Sequence, residues 1–372
     1  MRLLFVCPDM DTGGAERHWS TLIRGLAARG VDVHLLALAR EGRLFGELQA
    51  AGVGTTFAAM SRRTDLRGLR RALRLADFCP DVVVSRGVSG QVVGAAIARR
   101  ARASHAVNEH TPCLPDGRLL PPALGHQEVL TRLVAPRVHL VVAVTEAQVA
   151  PLAERGYRGD RIRVVPNGVF PQELRPRASR QAVRSALDLR PEDFAALSVA
   201  GLRPEKRVDT FVQAIALARR SDPRVRGLVA GTGRELERIR RLAGEAVELL
   251  GEREDVPDLI EAADAVCLTS MAEALPMILL ETMALARPVV ASRVGGTPEA
   301  VVPGETGFLV EPGDEPGFAE ALLELSADAG AGRRLGEAGR MRQRELFDGE
   351  RMVDGYLEAF EQLATARATA AR

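Results

Sequence analysis

Phe194-Ala195-Ala196-Leu197-Ser198-Val199-Ala200-Gly201-Leu202-Arg203-Pro204-Glu205-Lys206-Arg207 is an apolar run of strand length that breaks at a glycine, passes a proline and ends on two cations. A helical pattern starts at once, from Val208. Strand, short loop and helix start form the repeating unit of parallel α/β sheets. The loop is also where such a chain can hold phosphate, because helix N-termini offer unpaired N–H groups and the positive end of a dipole. Lys206 is the only lysine among the 50 Lys and Arg residues of the chain. Its ammonium is a compact point charge on a flexible stem, which the planar fork of arginine does not replace at a close phosphate contact. The plain alternative, a stray lysine on a solvated face, stays open on this stretch alone.

The same alternation extends in both directions. Strand-length apolar runs are expected at Leu3–Cys7, Val33–Leu38, Gly54–Phe57, Asp81–Ser85, Ser104–Asn108, Leu140–Val144 and Ile162–Val165. Helical patterns lie between them. In Ala15–Arg29, for example, Trp19, Leu22, Ile23 and Leu26 fall on one stripe and Gly30 stands ready as the stop. Pro166 to Pro176 reads as an interdomain hinge. The pattern restarts at Phe194–Ala200, Arg226–Ala230, Val247–Leu250, Ala265–Thr269, Pro288–Ser292 and Gly307–Val310, and turns almost wholly helical from Glu315. The tail Ala364–Arg372 carries little core signal and is expected to fray. Near-continuous apolar strands between helices predict parallel sheets covered on both faces. Two such doubly wound domains are expected to face each other across a cleft, with ligands beyond the carboxyl ends of the strands.

Composition narrows the classes. The 372 residues favour two domains. A net charge of +1 offers no global field for nucleic acid, and 4% aromatics offer little for base stacking. Cys7, Cys79, Cys113 and Cys267 are dispersed and read as small core residues of a reducing compartment. The apolar start Leu3–Cys7 is too short for a signal peptide and no stretch reaches membrane-span length, so the chain is expected to be soluble and cytosolic.

The loops after the strands carry the candidate chemistry. After the first strand comes Asp9-Met10-Asp11-Thr12-Gly13-Gly14-Ala15-Glu16, which is not the GxGxxG dinucleotide pattern but still allows close backbone approach. In the second half, Ala272-Glu273-Ala274-Leu275-Pro276-Met277-Ile278-Leu279-Leu280-Glu281 follows a strand, with Pro276 suited to the first helical turn. That places Glu273 in the loop and Glu281 inside the helix. Carboxylates there can accept from the vicinal hydroxyls of a sugar or ribose; alternatively, Glu273 only complements the helix dipole and Glu281 is a surface acid. Gly231-Thr232-Gly233 and Gly295-Gly296-Thr297-Pro298-Glu299 are further glycine loops able to present N–H groups to a diphosphate.

Taken together, these residues resemble the retaining GT-B glycosyltransferases of glycosyltransferase family 4, also called glycosyl transferases group 1. The resemblance covers nearly the whole chain and rests on the E-x7-E pair Glu273 and Glu281. Around it stand Gly13–Glu16, Val165–Val169, Arg203–Lys206, Gly251–Pro257 and Gly295–Glu299. It implies an acceptor-binding Rossmann-like domain over 1–170, a nucleotide-sugar-binding one over 171–345, and a C-terminal helix over 346–372 crossing back to the first. It further implies that Lys206 lies on the diphosphate, Glu281 on the ribose, and Glu273 on a sugar hydroxyl held also by the backbone of Ala274, Leu275, Pro276 and Met277. Gly14 would approach the phosphate, Gly231 and Arg253 would complete the donor site, and His110 would stand near the sugar. A lone histidine is more often structural, so His110 depends on the resemblance. The chain departs from the family at Gly201, where an arginine is common and Arg203 is the available charge. It departs again at Ala274, where glycine is usual.

The expected reaction is metal-independent hexosyl transfer from a nucleoside-diphosphate sugar to a glycan, lipid-linked or small-molecule acceptor, with no cofactor and with cations in place of an ion. Front-face attack with retention is what the resemblance implies. A nucleotide-sugar 2-epimerase of the same fold, and a nucleotide- or glycan-binding protein without turnover, stay open. A glycosidase would not need the phosphate-binding set. The basic run Arg62, Arg63, Arg67, Arg70, Arg71 and Arg74 is either a solvated face or a peripheral contact with anionic lipid.

Overall fold

The structure of the chain, a computed structural model, describes residues 1–61, 65–121 and 125–370. It divides into two compact units: 1–111 with 119–168 and 349–372, and 112–118 with 169–348. The strands of the first are β1 (Arg2–Cys7), β2 (Asp32–Ala37), β3 (Gly54–Phe57), β4 (Val82–Ser85), β5 (Ser104–Glu109), β6 (Leu140–Ala143) and β7 (Ile162–Val164). They form a seven-stranded sheet in the order β3-β2-β1-β4-β5-β6-β7, every pairing parallel. Its helices are α1 (Gly14–Ala28), α2 (Arg43–Ala50), α3 (Leu66–Leu73), α4 (Gly87–Ala101), α5 (Gly125–Val134) and α6 (Val149–Glu154).

The second unit holds α7 (Arg180–Ala186), α8 (Val208–Ser221), α9 (Leu236–Ala243), α10 (Val256–Ala262), α11 (Met277–Ala284), α12 (Thr297–Ala300), α13 (Glu315–Ala327) and α14 (Ala329–Leu346). Its strands are β8 (Phe194–Val199), β9 (Val225–Ala230), β10 (Val247–Gly251), β11 (Ala265–Leu268), β12 (Val289–Ser292) and β13 (Gly307–Val310), in the order β10-β9-β8-β11-β12-β13 and again parallel. The last helix, α15 (Gly349–Ala370), returns to the first unit. Within the expected hinge, the boundary between units falls after Gly168. Of the tail expected to fray, 371 and 372 lie outside the described residues.

The apolar runs became strands because helices cover both faces of each sheet: β4 and β11 are buried along their whole length. On α1 the expected stripe is fully buried, and the Trp19 ring meets Phe5 edge-on with centroids 5.0 Å apart. Such a pair adds about 0.5–1.5 kcal/mol beyond area burial. Gly30 ends that helix with φ 77°, its N–H on the carbonyl of Ala27. Phe360 and Tyr356 of α15 are fully buried, their rings packed on each other and that of Phe360 against Phe5.

Two expectations need correction. Cys7, Cys113 and Cys267 are core residues, but Cys79 is exposed, because it ends a 3-10 turn in a left-handed conformation that leaves its side chain outside the sheet layers. Pro276 caps α11 instead of sitting in its first turn; its ψ of 131° is extended, so the helix begins one residue later.

Candidate active site

In both sheets strand order reverses beside the first strand, between β1 and β4 and between β8 and β11. Doubly wound sheets take ligands at this reversal, outside the carboxyl ends of the strands. In the second unit those ends are the loops bearing Lys206 and Glu273.

Pro204–Lys206 forms a single 3-10 turn, and Arg207 then takes a left-handed conformation (φ 45°) that swings the chain into α8. The Arg207 guanidinium holds this turn by bonding Asp209 and the hydroxyl of Thr210. Two bonds tie the turn to the loop after β11: Thr269 Oγ1 donates to the carbonyl of Arg207 (2.9 Å), and the N–H of Met271 to that of Glu205 (2.8 Å). Lys206 Nζ then donates to Glu273 Oε1 at 2.6 Å, and Ser270 Oγ donates to the same oxygen at 2.6 Å. Both donors fall on Oε1, and Oε2 has no hydrogen-bond partner among the described residues. The ion pair is largely sheltered, with the side chains 18% and 8% exposed. It borders a small hollow lined by Ser198, Ala200, Thr269, Ser270 and Ile278.

The Glu273 backbone is fixed from two sides. Its N–H and carbonyl pair with the carbonyl and N–H of Cys113 (3.2 and 2.8 Å), so 112–118 joins this unit although its sequence neighbours belong to the other. On the other side the N–H of Gly296 donates to the carbonyl of Ala274 at 2.7 Å. Gly295 (φ 50°) passes so close that a Cβ there would lie 1.8 Å from the Glu273 carbonyl oxygen. Ala274, Leu275 and Met277 are buried at the start of α11, and Glu281 is buried within it, at 6% exposure. The apolar run Met277–Leu280 leaves α11 little free surface, so Glu281 is not a surface acid.

The other sequence-derived residues are less centrally placed. Arg203 is 59% exposed and turns to Glu205 at 3.1 Å. Arg253 grips Asp255 through two bonds of 2.8 and 2.5 Å. Gly231 ties the end of β9 to β10, its N–H donating to the Gly251 carbonyl at 2.6 Å, and passes so close to the chain after β8 that a Cβ would lie 1.9 Å from the carbonyl oxygen of Ala200.

Gly14 and His110 belong to the first unit. Gly14 opens α1 behind Gly13. His110 follows β5, is half-buried, and its Nε2 lies 2.8 Å from Asn108 Oδ1. Burial, then the neighbouring His18 and Arg86, hold it well below the usual histidine range. Arg86, at the end of β4, pairs with Glu16 (2.5 Å) and donates to the carbonyl of Asp9 (3.0 Å).

Sequence reading missed Ser270, Thr269 and Asn108. Ser270 had one usable signal, a hydroxyl three residues before Glu273 in the same loop. Among the described residues no group of three or more His, Cys, Asp or Glu could hold a metal ion, and no helix is long and apolar enough to cross a membrane.

Two family profiles match the chain: "Glycosyl transferase 4-like domain" over residues 13–168 and "Glycosyl transferases group 1" over residues 193–328. N-acetyl-alpha-D-glucosaminyl L-malate synthase of Bacillus anthracis is 34% identical over 166 residues, covering 43% of this chain and 43% of that protein. D-inositol 3-phosphate glycosyltransferase of Saccharomonospora viridis is 34% identical over 229 residues, covering 57% and 52%. The chain thus spans about half the length of these curated relatives. Among solved structures, Anabaena HepE in complex with UDP superposes with a TM-score of 0.83 at 22% identity, covering 97% of this chain and 100% of that one. HepE has also been solved with UDP-glucose. That likeness establishes the GT-B fold.

Proposed function

The chain belongs to the glycosyl transferases group 1, with the GT-B fold of the glycosyltransferase 4 type, and on that premise we propose that it moves a hexose-type sugar from a nucleoside diphosphate to an acceptor hydroxyl, with retention and without a metal. The observation that carries the reading is the 2.6 Å contact between the only lysine and Glu273 at the strand-order reversal of the second sheet. The ammonium supplies positive charge where a diphosphate leaves. The carboxylate, with Oε2 unshared, supplies an acceptor for a sugar hydroxyl beside it. HepE complexes with UDP and UDP-glucose, and relatives named for transfer to L-malate and inositol phosphate, support a nucleotide-sugar donor and an oxygen acceptor.

In the step itself, the bond from the anomeric carbon to the diphosphate oxygen breaks and its electron pair leaves with the diphosphate. The acceptor oxygen bonds the same face of that carbon, and its proton passes to the departing phosphate. Lys206 opposes the growing negative charge, a contribution worth about 10²–10³ in rate by comparison with a lost oxyanion donor. Glu273 orients both the ammonium and the sugar. Ser270 donates to the same Oε1 as Lys206 and so holds the carboxylate in place.

A panel of UDP-, GDP- and ADP-sugars, screened for binding and then for turnover, identifies the donor. With it, Lys206→Ala should lose about 10²–10³ in turnover while the circular dichroism spectrum stays unchanged. Wild-type turnover in that variant would remove the lysine from the mechanism. An epimerised sugar released from donor alone would reassign the chain to the 2-epimerases. Binding without any turnover would make it a nucleotide- or glycan-binding protein.

The acceptor includes lipid-linked glycans in this reading, because α3 carries exposed Arg67, Arg70 and Arg71 with exposed Leu66, and Arg74 follows. Arg62 and Arg63 lie outside the described residues. A basic face around an apolar side chain suits peripheral contact with anionic lipid. Co-sedimentation with phosphatidylglycerol vesicles, lost on Arg67→Glu with Arg70→Glu, is the expected result; equal recovery with neutral vesicles would oppose it.

A further inference from the structure

We propose that the Lys206–Glu273 ion pair is a release device: once the sugar has left, Glu273 takes the ammonium back from the diphosphate and lets the product nucleotide go. That a sugar leaves at this point rests on the function proposed above. The competition of carboxylate and diphosphate for one ammonium does not.

Transfer creates a difficulty at any cationic diphosphate site. Joined to a sugar, the outer phosphate carries about one negative charge; bared by transfer, it carries about −1.5 to −2. A cation tuned only for attraction therefore grips the product harder than the donor, and the site clogs. The neighbouring arginines are engaged elsewhere, Arg203 with Glu205 and Arg207 with Asp209. The balance falls on Lys206 and on what faces it.

What faces it is Glu273. Lys206 Nζ lies 2.6 Å from Oε1, with the two side chains only 18% and 8% exposed, so little water screens the attraction. Ser270 Oγ donates to the same oxygen at 2.6 Å and holds it in place. The frame around the pair is tied down. The Lys206 turn is fastened to the loop after β11 through Thr269 and Met271, and the Glu273 backbone is paired with that of Cys113. Every group named lies in the second unit. The pair therefore opens and closes by rotation of two side chains, with no loop rearrangement to wait for.

The pull of the carboxylate depends on the sugar. A hydroxyl donating to Oε2 takes up part of its negative charge and leaves the ammonium to the diphosphate. Departure of the sugar removes that donor, and the whole charge of Glu273 is again offered to Lys206. The group that receives the sugar thus also responds to its loss.

The test is calorimetric titration of the full chain with UDP, GDP and ADP, and with inorganic pyrophosphate as a probe that carries no nucleoside. Glu273→Gln should bind the preferred diphosphate about tenfold more tightly than wild type, on the scale of one hydrogen bond to a charged group, and the intact nucleotide-sugar no more tightly. Removing any negative charge beside an anion also tightens binding, so two further variants separate the pair from the general field. Glu273→Asp keeps the charge but draws it back from Nζ by one methylene, and it should tighten binding as well. In a Lys206→Ala background, Glu273→Gln should bring no gain. A gain that survives without Lys206, or an affinity left unchanged by Glu273→Gln or by Glu273→Asp, would overturn the release device. Circular dichroism checks each fold, and if Glu273→Gln does not fold, Glu273→Asp decides alone. If none of the three nucleotides binds, the proposed function fails, and pyrophosphate still decides the competition: tighter binding by the Glu273 variants upholds it, and equal or absent binding rejects it.

Discussion

Gly295→Ala attacks the site without touching any charged group. Gly295 has φ 50°, and a Cβ would sit 1.8 Å from the carbonyl oxygen of Glu273 and 2.7 Å from its carbon. Real Cβ contacts essentially never fall below 3.0 Å, so one of the two backbones has to retreat by more than an ångström. The left-handed backbone costs an alanine about 1–2 kcal/mol. Displacing the neighbour adds about 1–3 kcal/mol, as overpacking does elsewhere. The sum, roughly 2–5 kcal/mol, corresponds to a melting temperature lower by about 5–20 °C for a unit of this size. Calorimetry is the right assay, because the single tryptophan, Trp19, belongs to the other unit and does not report on this one. A displaced Glu273 carbonyl would also strain its 2.8 Å bond from Cys113 and move the carboxylate off Lys206. Misplacement on that scale costs about 10²-fold in rate. Gly295→Asn separates the two causes: asparagine tolerates positive φ better but brings the same Cβ, so it should melt as low as alanine if the clash dominates. A Gly295→Ala protein that melts with the wild type and binds donor equally well would refute the reasoning.

Three further outcomes are expected. Burial and then Arg86 push His18 down to about 3, so as pH falls through about 6.5 the unfolded chain takes up the proton first and the fold loses stability until about pH 3. His18→Leu abolishes that loss and should gain about 2 kcal/mol at pH 5 relative to pH 8, read as paired urea midpoints; an equal effect at both pH values would contradict the assignment. Phe360→Ala empties a fully buried site of α15 and should cost about 3–5 kcal/mol, seen as an earlier urea transition in Trp19 fluorescence; an unchanged midpoint would mean that this packing carries no weight. EDTA should leave sugar transfer intact, and a strict requirement for added Mg²⁺ or Mn²⁺ would overturn the metal-free reading.

The central strands were legible because parallel strands covered on both faces read as unbroken apolar runs, as in β4 and β11; the edge strands Gly54–Phe57 and Gly307–Val310 also match residue for residue. The Glu273 and Lys206 loops were legible as breaks in those runs. What escaped was mostly three-dimensional. Trp19, Asn108 and Tyr356 are joined by hydrogen bonds from α1, β5 and α15, and no local pattern announces that meeting. The pairing of Cys113 with Glu273 is made by backbone atoms alone, which leave no mark on residue type. Arg203 looked like a second cation for the site by spacing, yet Glu205 two residues on draws its guanidinium to the surface. Cys79 looked like core by residue type, and its left-handed backbone placed it outside.

Residues 112–118 give the chain four crossings between its units instead of two. A recombinant fragment cut at 169 would therefore carry Glu273 without the peptide that braces it. Chimaeras that graft the first half of one relative onto the second half of another would import a foreign brace against the Glu273 backbone. Parent enzymes differing at 112–118 should yield hybrids whose donor preference drifts, even when every residue from 169 to 348 comes from a single parent.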